Sequence, residues 1–192
     1  SERAILAYDG DTVYRPDLLS SETADAWFEA LLEDSHWTHD ELQMFGKKIV
    51  TARKVIWYGD AGQSYRYSGV TKNPVAWSEL MLEIKQWVEE QTGENFNSCL
   101  LNLYHNGGEG MGWHSDDEPE LGSEPVIAAL SLGAQRRLRF RHKSTRETAA
   151  VDLAHGSLLV MRGKTQTHWQ HCLTKTKTSN SPRISLTFRL VV

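Results

Sequence analysis

Cysteine is scarce in this chain, with only Cys99 and Cys172 among 192 residues. Two thiols make neither a disulfide framework nor a structural zinc site, so a reducing compartment is expected, the cytoplasm or a eukaryotic nucleus, and not secretion. Long apolar runs are missing too. Nothing approaches the roughly 20 residues of a membrane-spanning helix, and no membrane partner is expected. The polar opening Ser1-Glu2-Arg3 lacks the character of a secretory signal, and the absent initiator Met fits a trimmed start. Repeats and low-complexity linkers are lacking, so residues 1–192 read as one domain with one substantial core, and a monomer is expected. Nor is there an excess of cations: Lys and Arg number 21 against 25 Asp and Glu, a net charge of −4. That balance excludes a protein that simply coats nucleic acid.

Positive charge is instead local. Arg136, Arg137, Arg139, Arg141, His142, Lys143 and Arg146 form a basic run, supplemented by Lys164, Lys175 and Lys177. These could track phosphates. Leu138 and Phe140 alternate with the arginines, which equally suits a two-layer strand with a solvated outer face.

Two helices are expected before a strand-rich remainder. Ser20-Ser21 can cap a segment carrying Trp27, Leu31 and Leu32, and Asn73-Pro74 opens a run with Trp77, Leu80, Met81, Ile84 and Val88, with Gly93 beyond it. Their tryptophans belong to the core. The period then changes to two, giving an α+β class with a mainly β core. From Arg183 to Leu190 the alternation is strict, with Arg183, Ser185, Thr187 and Arg189 on one face and Ile184, Leu186, Phe188 and Leu190 on the other. Either the arginines pair with surface acids, or they line an interior where unpaired guanidinium groups would be costly and an anion is needed. The strand Leu100 to His105 follows the same logic, with Asn102 and Tyr104 sharing a face.

His114-Ser115-Asp116 and the distant His171 carry the chemistry. Residues i and i+2 of an extended segment project from one face, so His114 and Asp116 can reach one metal while Ser115 points away. Two histidines and a carboxylate bind one face of Fe(II) and leave positions for an organic acid and dioxygen. His168 competes with His171 for the third place.

The blocks Asn102-Leu103-Tyr104, Trp113-His114-Ser115-Asp116-Asp117-Glu118, Ser131-Leu132-Gly133-Ala134, Thr167-His168-Trp169-Gln170-His171 and Pro182 to Arg189 resemble the AlkB family of Fe(II)- and 2-oxoglutarate-dependent nucleic-acid dealkylases. The likeness runs from about Met44 to the C-terminus. It implies a double-stranded β-helix, the cupin-like jelly roll, over residues 98–192, flanked by N-terminal helices and by a nucleotide-recognition lid over residues 40–72. It also implies that His114, Asp116 and His171, rather than His168, ligate iron, and that Asn102, Tyr104, Arg183, Thr187 and Arg189 hold 2-oxoglutarate. Ser185 joins that set, standing where relatives often have Asn. Fe(II), 2-oxoglutarate and O2 are the implied cofactors.

On the substrate side, Arg53-Lys54, Tyr58 to Gly62 and Tyr65-Arg66-Tyr67-Ser68-Gly69 look like the lid of the DNA-acting branch. Tyr65 and Tyr67 would wall a pocket for an extruded base, and Asp117 and Glu118 would meet the exocyclic amine and positive charge of a methylated adenine or cytosine. Met44-Phe45-Gly46-Lys47 is similar to the wedge of duplex-acting relatives, though Met44 and Phe45 could equally be buried in the domain's own core. The resemblance implies direct-reversal repair of alkylated DNA by oxidative demethylation, with RNA as a further partner. The alternatives are a 2-oxoglutarate oxygenase acting on RNA or protein, and a catalytically silent nucleic-acid-binding module.

Overall fold

Alternating side chains build two antiparallel sheets whose facing surfaces enclose the site. The structure is a computed structural model that describes residues 2–67 and 70–192, with residues 65–67 and 70 described as backbone alone. Strands β1 (Arg3–Ala4), β2 (Asp11–Arg15), β3 (Thr38–Met44) and β4 (Lys47–Gly59) open the chain, with helix α1 (Ser21–Leu32) between β2 and β3. The short pair β5 (Tyr65–Tyr67) and β6 (Val70–Lys72) precedes helix α2 (Glu79–Thr92). Then come β7 (Ser98–Tyr104), β8 (Met111–His114), β9 (Ile127–Gly133), β10 (Arg136–His142), β11 (Thr148–Leu153) and β12 (Ser157–Arg162). The short helix α3 (Thr165–His168), β13 (Trp169–Leu173) and β14 (Arg183–Arg189) complete it.

The larger sheet has the order β1-β2-β12-β9-β14-β7-β4-β3, and the smaller one β11-β10-β13-β8. The order interleaves strands distant in sequence, as a jelly roll requires. Period two divides each central strand between two layers. Leu158 and Val160 of β12, and Ile184, Leu186 and Phe188 of β14, pack against Trp27 and Leu31 of α1 and Met81, Ile84 and Val88 of α2. Leu159 and Met161 turn the other way and meet Ile127, Phe140, Val151 and Trp169 between the sheets.

Both helices begin on a serine cap. Ser20 accepts from the Thr23 N–H, and Ser78 from the Met81 N–H. The second start differs from the expected one: Asn73-Pro74 precedes the helix, because Val75 is held by Tyr58 in a parallel bridge and Trp77 donates to Asp60. Gly93 ends α2 with φ +71°, a left-handed cap that glycine adopts without strain. Leu32 is partly in water at the end of α1, and Leu190 lies past the end of β14 with its side chain exposed, so the buried apolar face of that strand ends at Phe188.

The smaller sheet corrects the basic run. Arg136 and His142 face inward and are buried. Arg136 donates to the carbonyls of Asn106, Glu109 and Thr174 and so pins two loops. Arg137 pairs with Asp152, and Arg141 lies 4.2 Å above the Trp113 ring. The run is therefore divided between interior and surface by strand alternation.

Candidate metal centre

A β-bulge aims the first ligand candidate. His171 is paired with His114 and Leu173 with Met111, so Cys172 alone opposes Gly112 and Trp113. The extra residue bends β8 and turns His114 inward, where its ring centroid lies 4.3 Å from that of His171. Asp116 is beyond the end of β8, not on it as the i, i+2 reading supposes. Its position is secured by side chains: Ser115 Oγ donates to the Trp169 carbonyl at 2.7 Å, and the Asp116 N–H donates to Gln166 Oε1 at 2.8 Å.

One ligand atom from each of His114, Asp116 and His171 lies within 4.8 Å of the other two. His114 Nδ1 is 2.8 Å from the Gly112 carbonyl. A carbonyl can only accept, so Nδ1 carries the proton and Nε2 keeps its lone pair for a metal. Burial works to raise the Asp116 carboxyl, but Arg189, His171 and His114 outweigh it and hold it at about 2. Burial pushes the His171 imidazole down to about 4, reinforced by His114 and opposed by Asp116. A carboxylate and a neutral His171 imidazole result, and with the inward-facing His114 ring they make the two-histidine, one-carboxylate set that suits ferrous iron.

His168 does not join them. It stacks on His142 with ring centroids 5.9 Å apart, and these two form a second cluster with Asp9. There, His142 Nδ1 accepts from the N–H groups of Ser144 and Thr145, so its Nε2 bears the proton and donates to Asp9. That wiring leaves His142 no lone pair to offer a metal.

A cavity of about 660 Å³ extends from the triad between the sheets, lined by Asn102, Tyr104, Arg183, Ser185, Thr187 and Arg189 among others. Each was expected to hold 2-oxoglutarate, and the structure brings all six to this one cavity. Arg183 is 3% exposed. Its Nη2 donates to Ser131 Oγ at 3.0 Å, while its buried Nε has no partner. Burial pulls this guanidinium down to about 10. Among the described residues no carboxylate pairs with Arg183, so a buried cation waits for an anion, and an organic acid fits. Arg189 donates to Asp116 at 3.0 Å and links the basic end of the cavity to the triad.

Of the remaining candidates, Arg53, Asp117 and Glu118 line the same cavity. Glu118 Oε2 is buried without a partner. Arg53 donates to Asn102 Oδ1 and to Asp40 Oδ2. Phe45 and Gly46 form the two-residue tip of the β3–β4 hairpin between the paired Met44 and Lys47, and both have positive φ, the turn that matches strand twist. Phe45 is 96% exposed and Met44 about half so, which removes the reading that buries them in the core. Tyr58 goes the other way. It is buried, its hydroxyl donates to Asp34, and its ring stacks on Trp77, so it cannot reach a base. Tyr65, Arg66 and Tyr67 lie on β5, whose side chains are outside the description, and Ser68 lies outside the described residues.

The 2OG-Fe(II) oxygenase superfamily matches residues 11–189. The α-ketoglutarate-dependent dioxygenase alkB homolog 3 of Bos taurus is 40% identical over 186 residues, covering 92% of this chain and 64% of the relative. DNA oxidative demethylase ALKBH2 is 39% identical in Mus musculus, covering 91% of this chain and 78% of that protein, and 39% identical in Homo sapiens, covering 91% and 71%. The chain belongs to the AlkB family.

This AlkB-family chain thus spans somewhat under two thirds of the bovine relative's length. The likeness also starts earlier than Met44, since the family match takes in β2 and α1. The solved structure of OsALKBH1 shares the fold, with a TM-score of 0.62 at 15% identity over 97% of this chain and 99% of that one. Among the described residues no helix is long and apolar enough to cross a membrane.

Sequence reasoning missed four residues of this AlkB-family site: Gln166, Ser131, Asp40 and Lys72. Gln166 holds Asp116, Ser131 holds Arg183, and the buried Asp40 accepts from Lys72 at 2.7 Å as well as from Arg53. Ser131 lies in the Ser131-Leu132-Gly133-Ala134 block, which was the available signal. The others carry no motif.

Proposed function

We propose that this protein is an Fe(II)- and 2-oxoglutarate-dependent dioxygenase that demethylates N-alkylated bases in DNA, of the 1-methyladenine and 3-methylcytosine type, as direct-reversal repair. The observation that carries the reading is the single cavity shared by a buried, carboxylate-free Arg183 and the His114-Asp116-His171 cluster. Support for the substrate class comes from relatives whose names state DNA oxidative demethylation.

In this reading His114, Asp116 and His171 hold the iron, and Arg183 grips the far carboxylate of 2-oxoglutarate in a low-dielectric pocket where a charge-assisted pair is strong. Tyr104, Asn102, Ser185 and Thr187 complete the cosubstrate's polar contacts. Arg189 spends its charge on Asp116 and keeps that carboxylate ionised. When bound, iron would supply the oxidation of the N-methyl group by O2, one oxygen atom going to 2-oxoglutarate as it is split to succinate and CO2 and the other to the methyl carbon, which leaves as formaldehyde.

The remaining residues select and present the base. Residues 40–72 act as the lid and 98–192 as the catalytic jelly roll. Tyr65, Arg66, Tyr67 and Ser68 receive an extruded base, a step that is easier for a damaged pair. Asp117 and Glu118 face its exocyclic amine and offset the cationic ring. Phe45, Met44 and Gly46 enter the stack and occupy the gap in a duplex. The site of action is wherever alkylated DNA is met in a reducing compartment.

The test is incubation of a 1-methyladenine oligonucleotide with Fe(II), ascorbate and 2-oxoglutarate, run beside single- and double-stranded DNA and RNA carrying the same lesion. Formaldehyde and succinate should appear in equal amounts, and Asp116→Ala should abolish both while leaving oligonucleotide binding. Binding without succinate would turn the reading to a silent nucleic-acid module, and turnover only on RNA would move the substrate.

A further inference from the structure

Arg53 was expected to touch the nucleic acid, but its bonds run elsewhere. Strand β4 carries it, and a register shift in the β3–β4 pair leaves Asp40 opposite the stretch 51–53. That irregularity turns Arg53 inward, where it is buried beside Asp40 and Asn102. The two ends of one guanidinium are both used: Nη1 donates to Asn102 Oδ1 at 2.9 Å and Nη2 to Asp40 Oδ2 at 3.2 Å. Asp40 is itself fixed by Lys72 and by the N–H of Glu41. Its carboxylate is thus a rigid anchor for the arginine.

The consequence falls on Asn102. An amide side chain has one accepting and one donating end, and at ordinary precision the two are told apart only by their partners. Arginine can only donate, so Asn102 must turn its oxygen toward Arg53. No described residue accepts from its Nδ2, and Asn102 lines the same cavity as Arg183. We propose that Arg53 is a positioning residue that, anchored by Asp40, holds the Asn102 amide with its N–H₂ directed at the carboxylate or keto oxygen of 2-oxoglutarate. Without the fork the amide is free to flip and to present an oxygen to an anion, which is repulsive. The inference rests on the cosubstrate reading above. It moves Arg53 from the base pocket to the cosubstrate pocket.

The test is a double-mutant cycle on binding, not turnover: calorimetric titration of 2-oxoglutarate into manganese(II)-loaded protein for the unaltered chain, Arg53→Ala, Asn102→Ala and the double variant. Arg53→Ala should weaken 2-oxoglutarate about tenfold, a 1.4 kcal/mol loss, and the double variant should bind no worse than Asn102→Ala alone within about twofold. Affinity for a methylated oligonucleotide should change by less than about twofold. Arg53→Lys guards against misfolding: one ammonium can serve Asp40 but not both partners, so its melting temperature should stay near that of the unaltered protein while 2-oxoglutarate affinity falls as in Arg53→Ala. Losses that multiply in the double variant, or oligonucleotide binding that falls while 2-oxoglutarate binding holds, would overturn the proposal. Failure of the unaltered protein to take up 2-oxoglutarate would overturn the cosubstrate reading itself.

Discussion

The backbone N–H of Asp116 is satisfied by the side-chain oxygen of Gln166, 2.8 Å away on the short helix that precedes β13. The carboxylate candidate is therefore positioned from the helix that leads directly into the strand of His171, so two ligand candidates lean on one segment. Gln166→Ala leaves a buried N–H without a partner, which costs about 1–3 kcal/mol. Melting should drop by several degrees, and Fe(II) affinity, read by titration with a competing chelator, should fall roughly tenfold as outer supports of metal sites typically show. Unchanged metal affinity would remove Gln166 from the site.

Arg183 stores instability for the sake of binding. Replacing a buried, carboxylate-free guanidinium by an apolar chain of similar length removes a desolvated charge, so Arg183→Met should melt no lower than the unaltered protein when 2-oxoglutarate is absent. Affinity for 2-oxoglutarate should fall about 100-fold or more, given the 1.5–3 kcal/mol of charged hydrogen bonds that are lost. Calorimetry and thermal melting on the same sample check both halves. A large loss of stability without cosubstrate would mean that the arginine is structural.

What the sequence made legible is what periodicity encodes. The face of β14 that bears Arg183, Ser185, Thr187 and Arg189 follows from strict alternation, and so does the shared face of Asn102 and Tyr104. Register shifts carry no such signal. The bulge that aims His114, the irregularity that turns Arg53 inward and the Gln166 contact arise where pairing departs from period two. The helix start at Ser78 was hidden because Asn73-Pro74 offered an equally good opening, and a bridge between Val75 and Tyr58 decided against it. The exposure of Phe45 was open in the sequence, since an aromatic beside glycine fits a tip or a core.

Acid should weaken the metal-free fold. The folded pKa of His171 lies at about 4, below the ordinary value near 6.5, so between these the unfolded chain binds a proton that the folded chain refuses. Stability therefore rises with pH across this window and is lost on acidification from about 6.5 toward 4, on the order of 3 kcal/mol. Asp116, held at about 2, extends the loss below 4, because its folded state stays ionised while the unfolded carboxyl takes up a proton. Denaturant midpoints from pH 7 to 4 on chelator-treated protein measure this. A His171→Asn variant should flatten the upper part of the curve, and an unchanged slope would place the titration elsewhere.

Phe45→Ala separates duplex opening from chemistry. The ring is almost fully exposed, so the melting temperature should move by less than about 2 °C, as for a surface substitution. Turnover on a methylated duplex should fall about tenfold, with little change on a single strand. Equal losses on both would remove the hairpin from strand separation.

The β3–β4 hairpin has a second consequence, in how the protein behaves in a tube. Its outer strand β3 forms one border of the eight-stranded sheet, and Phe45 at the turn and Val50 on β4 are both more than half exposed. A sheet border ending in an exposed aromatic ring is the first place where two copies would adhere. Lys47, next to the tip in the chain, makes that approach repulsive, while Lys48 is paired with Glu41. Because this protection is Coulombic, it weakens as added salt shortens the screening length, so concentrated stocks would stay clear longest at low ionic strength.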